Sequence, residues 1–427
     1  MGKCPCAGIT GMNSHGAWAA KGARRMSQEQ DKAGKLMQGF PPAPEHQVDL
    51  SNWRSTPFNA WAFHHVRELL PTAAIPNAPG RVRPLERAYP DFRGLRIDAG
   101  RGPNLDLSQF MAAAEVDGIV ILYKGRLVHE SYANGMTADS PHILMSVSKS
   151  LLGLLAGILI EKGQLDADRE ATFYIPELQD TAFAGASVRQ LLDMRSGVTF
   201  NEDYSEVDGL YQRYRKAVGW NPSEAGDPPL DLRSFFSEMT ASDGPHGGPF
   251  RYISPCTDLL AWVIERATER RYADLMSELL LAPMGAEHAA YITVDRFGAP
   301  RAAGGICCTT RDLARVGQLL VESGDGIVPG TWIEDITYAG DSAAWDASDF
   351  APFYPGLAMH YRAQCYVIRE PAPVIMGIGI HGQSLMVDRE AELVLAKHAS
   401  AADPLAIESE RLTLALFRAL QEYLGAL

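Results

Sequence analysis

The reading of the chain turns on Ser146-Val147-Ser148-Lys149-Ser150-Leu151-Leu152-Gly153-Leu154-Leu155-Ala156-Gly157-Ile158-Leu159-Ile160-Glu161-Lys162-Gly163. Leu151, Leu152, Leu154, Leu155, Ile158 and Leu159 cover most of a helical circumference, so residues 148–162 are predicted to form a buried helix ended by Gly163. Lys149 follows Ser146 by three residues and shares its face when Ser146 stands in the first turn. A surface lysine is out of place on so apolar a helix. A lysine held in a semi-buried setting loses its proton readily and can serve as base to a neighbouring hydroxyl, and the helix N-terminus favours negative charge developing on that oxygen. The plain alternative is a helix-capping serine followed by a solvated lysine.

Upstream of this helix, Ile119-Val120-Ile121-Leu122-Tyr123 and Arg126-Leu127-Val128-His129 flank Lys124-Gly125, a hairpin signature. Downstream, helical segments separated by loops run to about residue 290, among them Val188 to Met194, Leu232 to Met239 and Thr257 to Arg270. Residues 201–231, rich in charge, Tyr, Gly and Pro, are expected to be a long surface excursion. Short β-prone runs return at Gln364 to Arg369, Val374 to Ile380, Gln383 to Asp388 and Glu392 to Lys397, and the chain closes on an amphipathic helix from Ile407 to Leu424. Strands at both ends with helices between predict an α/β protein whose sheet is assembled from both termini. The expected organisation is a sheet domain from 46–165 and 291–427, a helical insertion at 166–290 with a substrate-covering loop at 201–231, and a flexible or loosely docked tail at 1–45.

Two further stretches can complete a reacting centre. Phe250-Arg251-Tyr252-Ile253-Ser254 precedes a helix, and Tyr252 there can join Ser146 and Lys149 in a proton network. Gly377-Ile378-Gly379-Ile380-His381-Gly382-Gln383 is a glycine-rich strand that a substrate can approach closely as an extra strand. A backbone N–H from it, with that of Ser146, suits an oxyanion hole. Taken singly, a packed tyrosine and a simple β-bulge explain these two stretches equally well.

Together, Ser146-x-x-Lys149, Tyr252 and the glycine-rich strand resemble, in order and rough spacing, the serine β-lactamases and penicillin-recognising enzymes, specifically their class C-like esterase and amidase branch. The segments 188–197 and 303–315 resemble stretches typical of that branch, and the likeness covers about 115–400. It implies a β-lactamase-like fold, a mainly antiparallel central sheet flanked by helices, and hydrolysis through an acyl-Ser146 intermediate with Lys149 and Tyr252 transferring protons. The loop Gly197-Val198-Thr199-Phe200-Asn201-Glu202-Asp203-Tyr204 resembles the mobile loop of the branch's nylon-oligomer amidases, which implies that Tyr204 closes over bound amide.

The departures shape the expected substrate set. Ser254 stands where the family usually has Asn, and Tyr366 where similar enzymes often have Trp. Placing Gly377-Ile378-Gly379 at the third motif makes Ile380 N–H the oxyanion donor, while a register through His381-Gly382-Gln383 moves the donor later. In the first register no cation remains to grip a β-lactam carboxylate, so β-lactamase activity is expected to be weak or absent. Tyr204, Ser254, Tyr366, Gly379 and His381 make up the expected substrate-binding set. As bases, His142 and His381 are superfluous beside Lys149 and Tyr252. The expected reaction is cleavage of a small amide, and of esters; the alternative is a carboxylesterase, transesterase or acyltransferase using the same site.

Composition agrees. The 427 residues are 46% hydrophobic and 21% charged, ordinary globular usage. A formal charge of -13 argues against nucleic acid and anionic lipid as partners. No apolar run reaches the roughly 18 residues of a membrane helix, and residues 1–45 lack the apolar core of a secretory signal. The cysteines Cys4, Cys6, Cys256, Cys307, Cys308 and Cys365 form neither a disulfide framework nor a zinc motif, which suits a reducing, cytoplasmic setting. Glu202 and Asp203 read as a solvated loop face and Cys256 as a buried thiol, so neither a metal nor another cofactor is expected. The expected partner is a small amide or ester, and a homodimer is compatible with the sequence.

Overall fold

A computed structural model describes residues 34–100, 102–202, 209–223, 226 and 230–426. Residues 1–48 form a unit of their own, whose described part carries the 3-10 turn Pro44–His46. The second unit spans residues 49–427.

Its strands are β1 (Thr72–Ile75), β2 (Val116–Tyr123), β3 (Arg126–Tyr132), β4 (His142–Ile143), β5 (Ala290–Thr293), β6 (Ile306–Cys308), β7 (Met359–Arg362), β8 (Cys365–Ile368), β9 (Val374–Gly379), β10 (Gln383–Asp388) and β11 (Leu393–Ala399). Seven make one sheet in the order β3-β2-β11-β10-β9-β8-β7, every neighbouring pair antiparallel. The predicted hairpin therefore pairs with the last strand of the chain, so the sheet is closed by both termini. The remaining four form a smaller sheet, β1-β5-β6-β4, which the sequence reading did not anticipate.

Four helices position the site: α1 (Val147–Glu161), α2 (Ser254–Thr268), α3 (Thr310–Val321) and α4 (Ile407–Gly425). Helix α1 is buried from Val147 to Leu159, as its all-round apolar sequence requires. Burying its six Leu and Ile side chains of the predicted set contributes about 1.5–3 kcal/mol each relative to exposure. It lies on β8, β9 and β10, with α3 beside it on β10, β11 and β2. A Cβ at Gly153 would overlap the carbonyl of Ala363, so this glycine lets α1 press onto the β7–β8 turn. The opposite face of the sheet carries α4, whose Ser409 and Thr413 receive Lys397 of β11 and whose Gln421 bonds Asp388 of β10.

Between β4 and β5 the described residues hold helices but no named strand beyond α1. The expected surface excursion at 201–231 is only partly one. It contains the helix Leu210–Ala217, whose Tyr211, Tyr214 and Ala217 are buried, and Trp220 is buried as well. No helix among the described residues is long and apolar enough to cross a membrane.

Candidate active site

Ser146 sits at the N-terminal end of α1, immediately after Met145, whose φ of 45° turns the chain sharply out of the segment Leu144-Met145. Its side chain caps nothing. Instead its Oγ accepts a hydrogen bond from Lys149 Nζ at 2.9 Å. The capping alternative is thereby set aside, and the i, i+3 spacing on one helix face is what brings the two groups together.

Lys149 is 1% exposed. Its second hydrogen bond goes to the carbonyl of Ala303 at 2.6 Å, and its ammonium position lies 4.9 Å from the centre of the Tyr252 ring. Burial is the largest influence on it and pushes its pKa down to about 7, with Arg301 acting in the same direction and the carboxylates of Glu202 and Asp258 opposing. A lysine so placed is substantially neutral near neutral pH and has a lone pair to offer Ser146.

Tyr252 precedes α2, and the side chains of Ser146 and Ser254 lie close enough to its hydroxyl to favour its ionised form. Desolvation and the charge of Glu202 hold the phenol well above its ordinary value, and the two serines only partly offset this. Tyr252 is therefore a phenol rather than a phenolate, suited to giving a proton.

The third piece is the end of β9. The β8–β9 ladder runs only from Val374 to Met376, because Ala363 and Gln364, with φ of 47° and 68°, turn the chain between β7 and β8. Gln364 is anchored by Thr257 and by the carbonyls of Leu191 and Leu192. Gly377-Ile378-Gly379 thus extends beyond β8, beside the start of α1. A Cβ at Gly379 would lie 2.8 Å from Leu144 O and 3.0 Å from Ser146 N, so only glycine lets this strand come so close to the nucleophile's backbone. That closeness puts the Gly379-Ile380 peptide next to Ser146 N–H.

The residues expected to bind substrate divide. Tyr366 of β8 is buried, its ring nearly parallel to that of Tyr252 at 6.5 Å, so it backs the phenol. Ser254 is buried and engaged with Tyr252 and Glu202. His381 is turned away: its Nδ1 is 2.7 Å from Ala401 O, its ring edge packs on Phe63, and burial lowers its pKa to about 4. It is a support for the turn after Ile380. His142 is likewise buried, between Asp117 and the ring of His398. Tyr204 lies outside the described residues.

One reading is corrected. Glu202 is not on a solvated face: it accepts the backbone N–H and the hydroxyl of Ser254 at 3.0 and 2.7 Å. Asp203 lies outside the described residues. Cys256 is a buried thiol pushed up to about 12 by desolvation, and no group of three metal-ligating side chains occurs among the described residues.

Sequence reasoning missed the support behind Lys149. Asp258, buried on α2, accepts Ala303 N–H at 2.8 Å and Tyr214 O–H at 2.5 Å, and forms an ion pair with the buried guanidinium of Arg301. It therefore holds the backbone of Ala303, the residue whose carbonyl accepts from Lys149. An acidic residue within the apolar run Cys256 to Ile264, four residues after Ser254, was the available signal.

Comparison with known proteins finds relatives over most of the chain. Residues 106–419 match the β-lactamase family model. The chain is 36% identical over 371 residues to a 6-aminohexanoate-dimer hydrolase of Paenarthrobacter ureafaciens, covering 86% of this chain and 91% of that one. Among solved structures, a Bacillus anthracis protein described as a candidate 6-aminohexanoate-dimer hydrolase superposes with a TM-score of 0.79 at 25% identity, covering 89% of this chain and 98% of that one. EstCE1, a hydrolase with promiscuous acyltransferase activity, shares the fold with a TM-score of 0.58 at 16% identity, over 74% and 96% of the two chains.

Proposed function

The chain belongs to the β-lactamase family and is a serine hydrolase, and from that premise we propose that it cleaves a small amide, and esters, through an acyl-Ser146 intermediate. The observation that carries the reading is the 2.9 Å contact between Ser146 Oγ and a buried Lys149 whose pKa desolvation lowers to about 7. Lys149 takes the hydroxyl proton as Ser146 Oγ bonds to the substrate carbonyl carbon. The oxygen that becomes negative is met by the N–H groups of Ser146 and Ile380. As the C–N or C–O bond breaks, Tyr252 gives its proton to the departing atom and regains one from Lys149. Water then attacks the acyl group and the same groups run in reverse, restoring the hydroxyl of Ser146.

In this reading the edge of Gly377–Gly379 receives the substrate backbone, and Tyr366 and Ser254 keep Tyr252 in place. The sheet segments 46–165 and 291–427 carry Ser146, Lys149 and Ile380, and the helical insertion 166–290 carries Tyr252. Similarity to a 6-aminohexanoate-dimer hydrolase favours a linear amide. The absence of a cation in Gly377-Ile378-Gly379-Ile380 supports weak or no β-lactam hydrolysis. A cytoplasmic location is part of the proposal, supported by the free, buried thiols of Cys256, Cys307, Cys308 and Cys365.

The test is initial rates on an aryl ester and an anilide of one acid, for the intact protein and Ser146→Ala. Loss of both rates in the variant is expected, and retained turnover would overturn the assignment. Repeating the ester reaction with added methanol separates hydrolysis from acyl transfer by the ratio of acid to methyl ester formed.

A further inference from the structure

The mechanism uses the hydroxyl of Tyr252 but leaves its ring environment unexplained. That ring meets Phe350 at 5.4 Å with an interplanar angle of 32°, and Phe350 meets Phe353 at 6.0 Å. Phe350 is half-buried and Phe353 is 57% exposed, so an aromatic surface leads from the phenol beside Ser146 out to solvent. The surface is held in place. Ser348 Oγ accepts the N–H groups of Phe350 and Ala351 at 3.3 Å each, Phe250 packs edge-on against Phe350 at 5.5 Å, and the hydroxyl of neighbouring Tyr354 bonds Glu410 on α4. Two exposed or half-exposed phenylalanines on an anchored segment, packed against the ring of a reacting group, offer an apolar contact to a ligand.

Direction follows from the proton path. The departing atom takes its proton from Tyr252 Oη, so it leaves the carbonyl carbon on the Tyr252 side, where Phe350 packs on the Tyr252 ring and Phe353 on Phe350. We propose that Phe350 and Phe353 form the leaving-group subsite and select amines and alcohols bearing a flat or chain-like apolar arm. This rests on the acyl-serine reading with Tyr252 as proton donor. The ring of Phe353 lies 6.0 Å beyond that of Phe350, a span comparable to one aromatic ring or a short methylene chain.

The experiment compares kcat/KM for 2-naphthyl acetate and ethyl acetate, and for 2-naphthyl hexanoate as the acyl-side control. It is run on the intact protein, Phe353→Ala, Phe350→Leu and Ser146→Ala. Dividing variant by intact rate for each ester cancels the intrinsic reactivity of the leaving group. Phe353→Ala is expected to lower the value for both naphthyl esters by about 3- to 10-fold, the worth of one aromatic contact, with less than a twofold change for ethyl acetate. Phe350→Leu is expected to show the same selectivity, and Phe353, being exposed, can be removed without disturbing the core. An equal change for naphthyl and ethyl esters, or a loss that follows the acyl chain, would overturn the subsite. If Ser146→Ala abolishes turnover while Phe353→Ala is indifferent, only the subsite falls; if Ser146→Ala keeps its rate, the acyl-serine reading falls first.

Discussion

Glu202 accepts two hydrogen bonds from Ser254, one from its N–H at 3.0 Å and one from its hydroxyl at 2.7 Å. This pins a carboxylate near Lys149, where it favours the ammonium form against the desolvation that lowers it. As the proposed base, Lys149 must be neutral, so kcat/KM should fall as pH drops through about 7. Glu202→Gln removes a charge that raises the lysine's pKa, so the acid limb should move to lower pH. A pH profile of ester hydrolysis for both proteins reads this, and a limb that stays in place or moves upward contradicts the electrostatic role.

Gly379 gives the sharpest steric test. Its φ of -134° and ψ of 146° are ordinary extended values, so alanine adds no backbone strain there. The new methyl would instead sit 2.8 Å from Leu144 O and 3.0 Å from Ser146 N. Gly379→Ala should push the Ile380 N–H away from the nucleophile and lower kcat by about 10²-fold, the scale of losing one oxyanion donor. KM should change far less. An unchanged kcat would move the donor elsewhere, to the register through His381-Gly382-Gln383.

How far the sequence could be read follows from the range of the interactions. Ser146 and Lys149 were legible because their pairing needs only helical spacing, and the strands around β9, β10 and β11 because five or more residues show a β pattern. The smaller sheet was not legible, since His142–Ile143 and Ile306–Cys308 are too short to show alternation and pair with distant partners. The helix Leu210–Ala217 hid among polar residues: its buried side consists of Tyr211, Tyr214 and Ala217, which read as loop aromatics and a spacer. Glu202 was misjudged because a carboxylate in a polar loop looks solvated until the distant Ser254 is folded against it.

The ion pair of Asp258 with Arg301 should carry both stability and turnover. Arg301 is 7% exposed, and its Nε has no partner among the described residues, so Asp258 supplies most of the compensation for its charge. Asp258→Ala strands a buried guanidinium and frees Ala303 N–H, at a cost of about 3–5 kcal/mol. Because Ala303 O orients Lys149, kcat should fall even at temperatures where the variant remains folded. Denaturant midpoints and rates measured at low temperature separate the two effects. A fully active variant would show that Ala303 is held without Asp258.

Lys397 makes a prediction about stability against pH. It is 1% exposed on β11 and donates to Ser409 Oγ at 3.1 Å and Thr413 Oγ1 at 2.6 Å. Those hydroxyls give their own protons to Ala114 O and Ser409 O, so the pocket offers acceptors for the two N–H bonds of a neutral amine and, among the described residues, none for a third. Burial lowers the lysine's pKa to about 7, against the opposing charges of Glu410 and Asp117. In the unfolded chain the side chain keeps its ordinary value of 10.5. Between these limits the unfolded state binds the extra proton, so stability rises with pH; below about 7 both states are protonated, the full penalty is present and this contribution is flat. Each such lysine gives a slope of at most about 1.4 kcal/mol per pH unit, and Lys149 adds a second of the same sign. Lys397→Met should therefore remove one proton's share, leaving a visibly shallower rise in urea stability between pH 7.5 and 9.5. The comparison of slopes, rather than of stabilities at one pH, is decisive, because the methionine also leaves two hydroxyl lone pairs unmatched at every pH. An identical slope in the variant would mean that Lys397 stays charged in the folded protein.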